Sequence, residues 1–311
     1  MTDASSGCYV AVVPPREEFL ELRGLRHRLL RWGPPSADPI VLLHGFQDCA
    51  DTFQFLVDAL PRDWSFVGLD WRGFGGSEPT GEPYWFPDYL ADLEALLDVL
   101  DTGAPRAWRL VGHSMGGNVA SLYAGIRPAR VSQLVSLEGF GLPRSQPGDA
   151  PGRYRQWLDQ LRKPPRGSNY ATVDDLAELL ARRDPQLPRA HAAFIARAWT
   201  RDAGPPLRLH FDPWHRLVNP VLYRRDETEA CWREITAPLL MVVGEESEYR
   251  SRLLEDGTDE AFRRHFRHAD IARLPRLGHM LHHEDPVAVA GVVEPWLRAA
   301  AGQGGAGASA R

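Results

Sequence analysis

Gly112-His113-Ser114-Met115-Gly116-Gly117 is the stretch on which the reading of this chain turns. It follows a short apolar run, residues 108–111, and opens a segment of helical character over residues 116–126. A serine between such a strand and such a helix sits on a sharp turn, lifted above the sheet edge. Glycines on either side let the backbone cross itself where a Cβ would collide. The helix that begins there turns free N–H groups and the positive end of its dipole toward any negative charge that develops. Taken alone, the pattern also fits an ordinary glycine-rich turn, so the rest of the chain must decide.

Upstream, residues 18–23 and 27–32 read as two strands around a turn at Gly24, and residues 40–43 and 64–69 as strands buried on both faces. Helical spacing appears at Phe53, Leu56, Val57 and Leu60, and again at Leu90, Leu93, Leu97 and Leu100. Downstream, strands are expected over 131–137, 238–243 and 271–274, with a closing helix over 287–300. Strands alternating with helices predict a parallel sheet covered on both faces and joined by right-handed crossovers. From 141 to 234 no buried strand is predicted; helical patches at 173–182 and 189–200 lie among Pro and Gly breaks. That stretch is too long for a plain loop and reads as a helical cap. The expected organisation is a core over 1–140, a cap over 141–234, the rest of the core over 235–300 and a low-complexity, disordered tail over 301–311.

Composition narrows the partners. With 43% hydrophobic and 25% charged residues, the 311-residue chain can bury a core, and a net charge of −5 gives no reason to expect nucleic acid or an anionic membrane. No apolar run reaches spanning length, and the N-terminus lacks the basic-then-apolar pattern of a secretory signal. Three scattered cysteines, Cys8, Cys49 and Cys231, fit reduced thiols better than a disulfide framework or a zinc site. The expectation is a cytoplasmic, monomeric or weakly associating protein that acts on a small molecule without a metal.

A serine hydroxyl needs a base, and Gly278-His279-Met280 follows the last expected strand, ahead of Glu284-Asp285-Pro286. His279 on that loop can reach Ser114 from the same sheet edge and shuttle its proton. The neighbouring His282 and His283 read as surface histidines. Leu43-His44-Gly45-Phe46 closes an earlier strand, where the N–H of Phe46 can pair with that of Met115 as an oxyanion hole. His44 reads as a shaper of that turn. Residues 70–77, Asp-Trp-Arg-Gly-Phe-Gly-Gly-Ser, read as a brace for the same edge.

With these four segments in order, the chain resembles α/β-hydrolase-fold proteins over about residues 18–300. The resemblance rests on His44-Gly45-Phe46, Asp70-x-Arg72-Gly73-x-Gly75-x-Ser77, Gly112-x-Ser114-x-Gly116, and Gly278-His279 with Glu284-x-Pro286. It implies an eight-stranded, mostly parallel sheet with flanking helices, a cap inserted after the sixth strand, and a cofactor-free Ser-acid-His mechanism. A serine at the elbow sets the chain apart from the epoxide hydrolase and haloalkane dehalogenase branches, which place aspartate there.

The acid departs from the family pattern. Most members carry it after the seventh strand, where this chain has Ser247 beyond Leu239-Leu240-Met241-Val242-Val243-Gly244. A serine cannot carry the charge that stabilises an imidazolium. Glu138, closing the sixth strand, is the first candidate, as in some dehalogenase-like members; Glu246, with Glu245 and Glu248, is the alternative. Trp71 and Phe140 are the expected pocket walls. The cap aromatics Tyr154, Trp157, Trp199, Phe211, Trp214, Tyr223 and Trp232 either line an apolar pocket or form the cap's own core. The activity expected is hydrolysis of a carboxylic ester. A C–C hydrolase, lactonase, thioesterase or acyltransferase using the same triad is the alternative, and a non-catalytic receptor on this fold is a further one.

Overall fold

A computed structural model describes residues 8–201 and 207–304. The chain enters through β1 (Arg16–Leu22) and β2 (Leu25–Trp32), an antiparallel pair turned at Arg23 and Gly24, both at positive φ. Then come β3 (Ile40–Leu43), a 3₁₀ turn leading into α1 (Gln54–Ala59), β4 (Phe66–Leu69), α2 (Phe86–Leu100), β5 (Trp108–His113), α3 (Met115–Ile126) and β6 (Val131–Leu137). The helix expected from the spacing of Phe53, Leu56, Val57 and Leu60 thus begins as a tighter turn, with Phe53 already buried.

The segment after β6 carries α4 (Ala150–Arg162), β7 (Asn169–Tyr170), α5 (Val173–Arg183), α6 (Arg189–Ala198), β8 (Thr200–Arg201), β9 (Leu207–Leu209) and α7 (Arg225–Arg233). The strands pair in the order β7-β9-β8, a small antiparallel sheet not foreseen from the sequence. Two- and three-residue strands are too short to leave a periodic signal. Thr172 caps α5 reciprocally with Asp175, satisfying N–H groups at the helix start. His215 pins this segment to the core, its ring stacked between Phe74 (3.8 Å) and Tyr84 (3.5 Å).

The chain returns as β10 (Leu239–Gly244), α8 (Glu248–Ser251), α9 (Asp259–His265), β11 (Ala269–Leu274), α10 (Leu281–Glu284) and α11 (Pro286–Gly304). The final helix therefore runs to Gly304, and the rest of the expected tail lies outside the described residues. The main sheet has eight strands in the order β1-β2-β4-β3-β5-β6-β10-β11. β1 and β2 are antiparallel to their neighbours; the other six strands are mutually parallel.

Two-residue alternation divides the core between the sheet faces. Val41, Leu43, Val67, Leu69, Met241 and Val243 pack on one side with Leu93, Leu97, Val119 and Tyr123 of α2 and α3. Ile40, Leu42, Phe66, Leu240 and Val242 pack on the other with Leu56 of α1 and Val289, Val293 and Leu297 of α11. Each such side chain contributes about 1.5–3 kcal/mol on burial. This double cover holds the C-terminal ends of the parallel strands in register, and those ends carry the candidate site. Among the described residues no helix is long and apolar enough to cross a membrane, and all three cysteines are free thiols.

Candidate active site

Ser114 stands between β5 and α3 with φ +48° and ψ −112°, a conformation that costs a non-glycine residue about 1–3 kcal/mol. The glycines around it explain how the turn is reached. A Cβ on Gly112 would lie 2.5 Å from the Gly116 carbonyl carbon, and one on Gly116 would lie 2.1 Å from the Leu43 carbonyl oxygen. The Ser114 N–H donates to the Leu137 carbonyl at 2.8 Å, tying the elbow to β6.

His279 follows β11 and approaches from the same edge. Its Nε2 lies 2.9 Å from Ser114 Oγ, and its Nδ1 lies 3.1 Å from Glu138 Oε2. With the Nδ1 proton donated to the carboxylate, Nε2 is free to accept from the serine hydroxyl. The Tyr249 ring covers the imidazole, stacked at 4.1 Å and itself half exposed.

Glu138 is held as firmly as the serine. It sits just beyond β6 at φ +58° and is 1% exposed. Its Oε1 accepts from the Gly244 N–H at 2.7 Å, and its Oε2 also accepts from the Ser247 hydroxyl. Burial raises the Glu138 carboxyl to about 7, opposed by those two donors, and lowers His279 to about 4, with nearby His283 adding to the effect. Both shifts favour the uncharged forms, so the imidazole is a free base at neutral pH.

The alternative acids lie elsewhere. Glu245, Glu246 and Glu248 are exposed, and Glu246 Oε2 accepts from the Gln186 side chain at 3.1 Å. On the other side of the elbow, the chain at Gly45 presses on it closely. A Cβ there would meet His113 Nδ1 at 2.7 Å and Ser114 Cβ at 3.3 Å. The next residue, Phe46, and Met115 on the elbow have backbone N–H groups that donate to no protein acceptor among the described residues. His44 lies buried beneath, accepting the Trp71 N–H on Nε2 at 3.1 Å, with Nδ1 2.8 Å from the Gly45 carbonyl. Asp70 braces the edge from below by accepting the N–H groups of Ala50 (2.7 Å) and Gly76 (2.8 Å).

Two expectations need correction. Trp71 is fully buried, its indole N–H donating to the His44 carbonyl, and Phe140 is buried against Phe262. Both belong to the core beneath the edge and offer no wall to a ligand. Phe46, a residue 47% exposed, presents apolar surface instead. Second, His282 and His283 are buried, not surface, residues: α10 turns inward, setting His282 beside Phe53 and His113. Ser247, the donor to Glu138, was legible only as a missing acid.

The geometry can be set beside known proteins. Residues 38–206 match the family described as alpha/beta hydrolase fold. A serine hydrolase-like protein of Danio rerio is 26% identical over 275 residues, covering 86% of this chain and 83% of that one. Among solved structures, a hypothetical protein of Pseudomonas aeruginosa PAO1 superposes with a TM-score of 0.77 at 25% identity, covering 91% of this chain and 99% of the other. A thioesterase domain from the curacin biosynthetic pathway gives 0.76 at 24% identity, with 90% and 99% covered.

Proposed function

The chain belongs to the α/β-hydrolase fold family, and from that premise we propose that it hydrolyses a carboxylic ester of a small, partly apolar substrate through an acyl-enzyme. The observation that carries this reading is the unbroken line from Ser114 Oγ through His279 to the Glu138 carboxylate. It is a nucleophile, a base and an orienting anion in the order acyl transfer requires.

In this reading Ser114 Oγ attacks the ester carbon while His279 Nε2 takes its proton. The carbonyl electrons move onto oxygen, where the N–H groups of Phe46 and Met115 receive the developing charge. Collapse of that intermediate breaks the carbon–oxygen bond, and His279 returns the proton to the departing alkoxide. Water then repeats the sequence on the acyl-serine, releasing the carboxylic acid and restoring Ser114. Glu138 keeps the imidazole in the productive tautomer and stabilises the imidazolium in each half-reaction. The exposed Phe46 and Tyr249 rings supply apolar surface for a small acyl or alkyl group.

A panel of p-nitrophenyl esters, with a thioester, a lactone and a β-diketone as comparison, tests this. Ester turnover is expected, falling by about 10³-fold or more in Ser114→Ala. Absent ester turnover with clear activity on another bond would overturn the ester assignment.

A further inference from the structure

Behind the proposed triad lies a second group of chemistry-bearing side chains that acyl transfer does not use. Asp48, on the loop after β3, and His282 and His283, on α10, present ligand atoms that all lie within 4.8 Å of one another. All three residues are buried: 3%, 0% and 1% exposed. Both ring nitrogens of His282 and Nε2 of His283 have no hydrogen-bond partner, although His283 Nε2 stands 3.5 Å from Asp48 Oδ2. An unpaired polar nitrogen in such a place is costly, and three together call for a guest.

The carboxylate is already aimed. The Trp199 indole N–H donates to Asp48 Oδ1 at 2.8 Å, and the Thr52 hydroxyl lies 2.9 Å from both carboxylate oxygens. Such outer partners fix the orientation of a metal-ligating carboxylate. The rings of Phe53 and Phe55 close one side of the group, and His113 closes another. A crevice lined by Gln47, Asp48, Trp199 and Phe211 gives an approach to Asp48.

We propose that Asp48, His282 and His283 form a binding site for a divalent late transition metal of the Zn²⁺ type, and that its occupation restrains the proposed hydrolase. Two imidazoles and one carboxylate suit such an ion and discriminate against Mg²⁺ and Ca²⁺, which take oxygen donors. Bonds of about 2.1 Å in a tetrahedral shell hold donor atoms about 3.4 Å apart. His283 Nε2 and Asp48 Oδ2 already stand at 3.5 Å, so binding asks movement chiefly of the His282 ring. The one-turn helix α10 begins just after His279, whose carbonyl oxygen is bound by His113 Nε2 at 2.9 Å. The His282 ring packs on His113 at 4.3 Å, and His113 in turn lies 5.0 Å from the His279 ring, so a shift of His282 reaches the base beside Ser114 through that contact. The coupling rests on the hydrolase reading; the binding does not.

Calorimetric titration of the full, tag-free chain with Zn²⁺ and with Mg²⁺ reads binding without any turnover. One Zn²⁺ per chain and no Mg²⁺ is expected, with affinity at least tenfold weaker in His283→Gln and in Asp48→Asn. No Zn²⁺ bound to the wild-type chain, or equal binding by both variants, overturns the site and leaves the cluster to water alone. If the variants do not fold, X-ray absorption of the Zn²⁺-loaded wild type decides: two imidazoles with a carboxylate oxygen support the site, and any other donor set overturns it. Zn²⁺ is further expected to slow fluorophosphonate labelling of Ser114 at least tenfold, reversibly with EDTA; unchanged labelling of the loaded protein overturns the coupling.

Discussion

The ends of β6 and β10 lie side by side in the sheet and meet at one carboxylate, yet they bring opposite chemistry to it. The β6 end holds Glu138, charged when ionised, buried and at positive φ. The β10 end brings only donors, the Gly244 N–H and the Ser247 hydroxyl. The two ends are therefore complementary. A buried carboxylate needs donors from its neighbour, and a second carboxylate at 247 would set two like charges on one site. Ser247 thus marks the place of a donor to the acid, where the family pattern led the sequence to suggest only an absence.

The comparison breaks most sharply at Glu138. Glu138→Gln keeps the shape but removes the anion that, in the proposed mechanism, stabilises the imidazolium, so kcat on an ester is expected to fall by about 10³–10⁴-fold. Loss below tenfold would move the acid away from β6.

Ser247→Ala probes the other strand end and should act through pH. The wild-type kcat/KM is expected to fall with decreasing pH between about 7 and about 4, the window set by Glu138 and His279. In the proposed mechanism the active form carries the carboxylate anion and the neutral imidazole, so protonation of either is expected to remove activity, and the two titrate as a coupled pair. Removing the Ser247 donor destabilises the anion and raises the Glu138 carboxyl further. The acid limb then moves to higher pH, with about tenfold loss at neutral pH. A limb that stays in place would show that the hydroxyl does not support the acid.

Glu246→Gln is expected to change kcat/KM by less than about twofold, since an exposed side chain paired to Gln186 touches neither His279 nor Ser114. A large loss would reverse the comparison between the strand ends.

Much of this was legible because backbone necessity writes itself into residue choice. The elbow shows in Gly112 and Gly116, where any side chain would strike the Leu43 carbonyl or the elbow's own backbone. The inner parallel strands β3, β4 and β10 show as four- to six-residue apolar runs, since both faces are covered. Directions of single side chains were less legible. Trp71 and Phe140 stand at strand ends, where one backbone rotation separates a pocket wall from the core. His282 and His283 lie on a one-turn helix, too short for periodicity to tell its inward face from its outward one. The β7-β9-β8 sheet left no signal for the same reason.

The central claim is that Ser114 is a nucleophile activated through His279 by Glu138. It is tested most directly by the rate of fluorophosphonate labelling, followed by intact mass and peptide mapping in the wild type, Glu138→Gln and Glu246→Gln. A single adduct on Ser114 is expected, formed at the wild-type rate in Glu246→Gln and at least a hundredfold more slowly in Glu138→Gln. An adduct on another residue, or slow labelling in Glu246→Gln with a normal rate in Glu138→Gln, would contradict the claim.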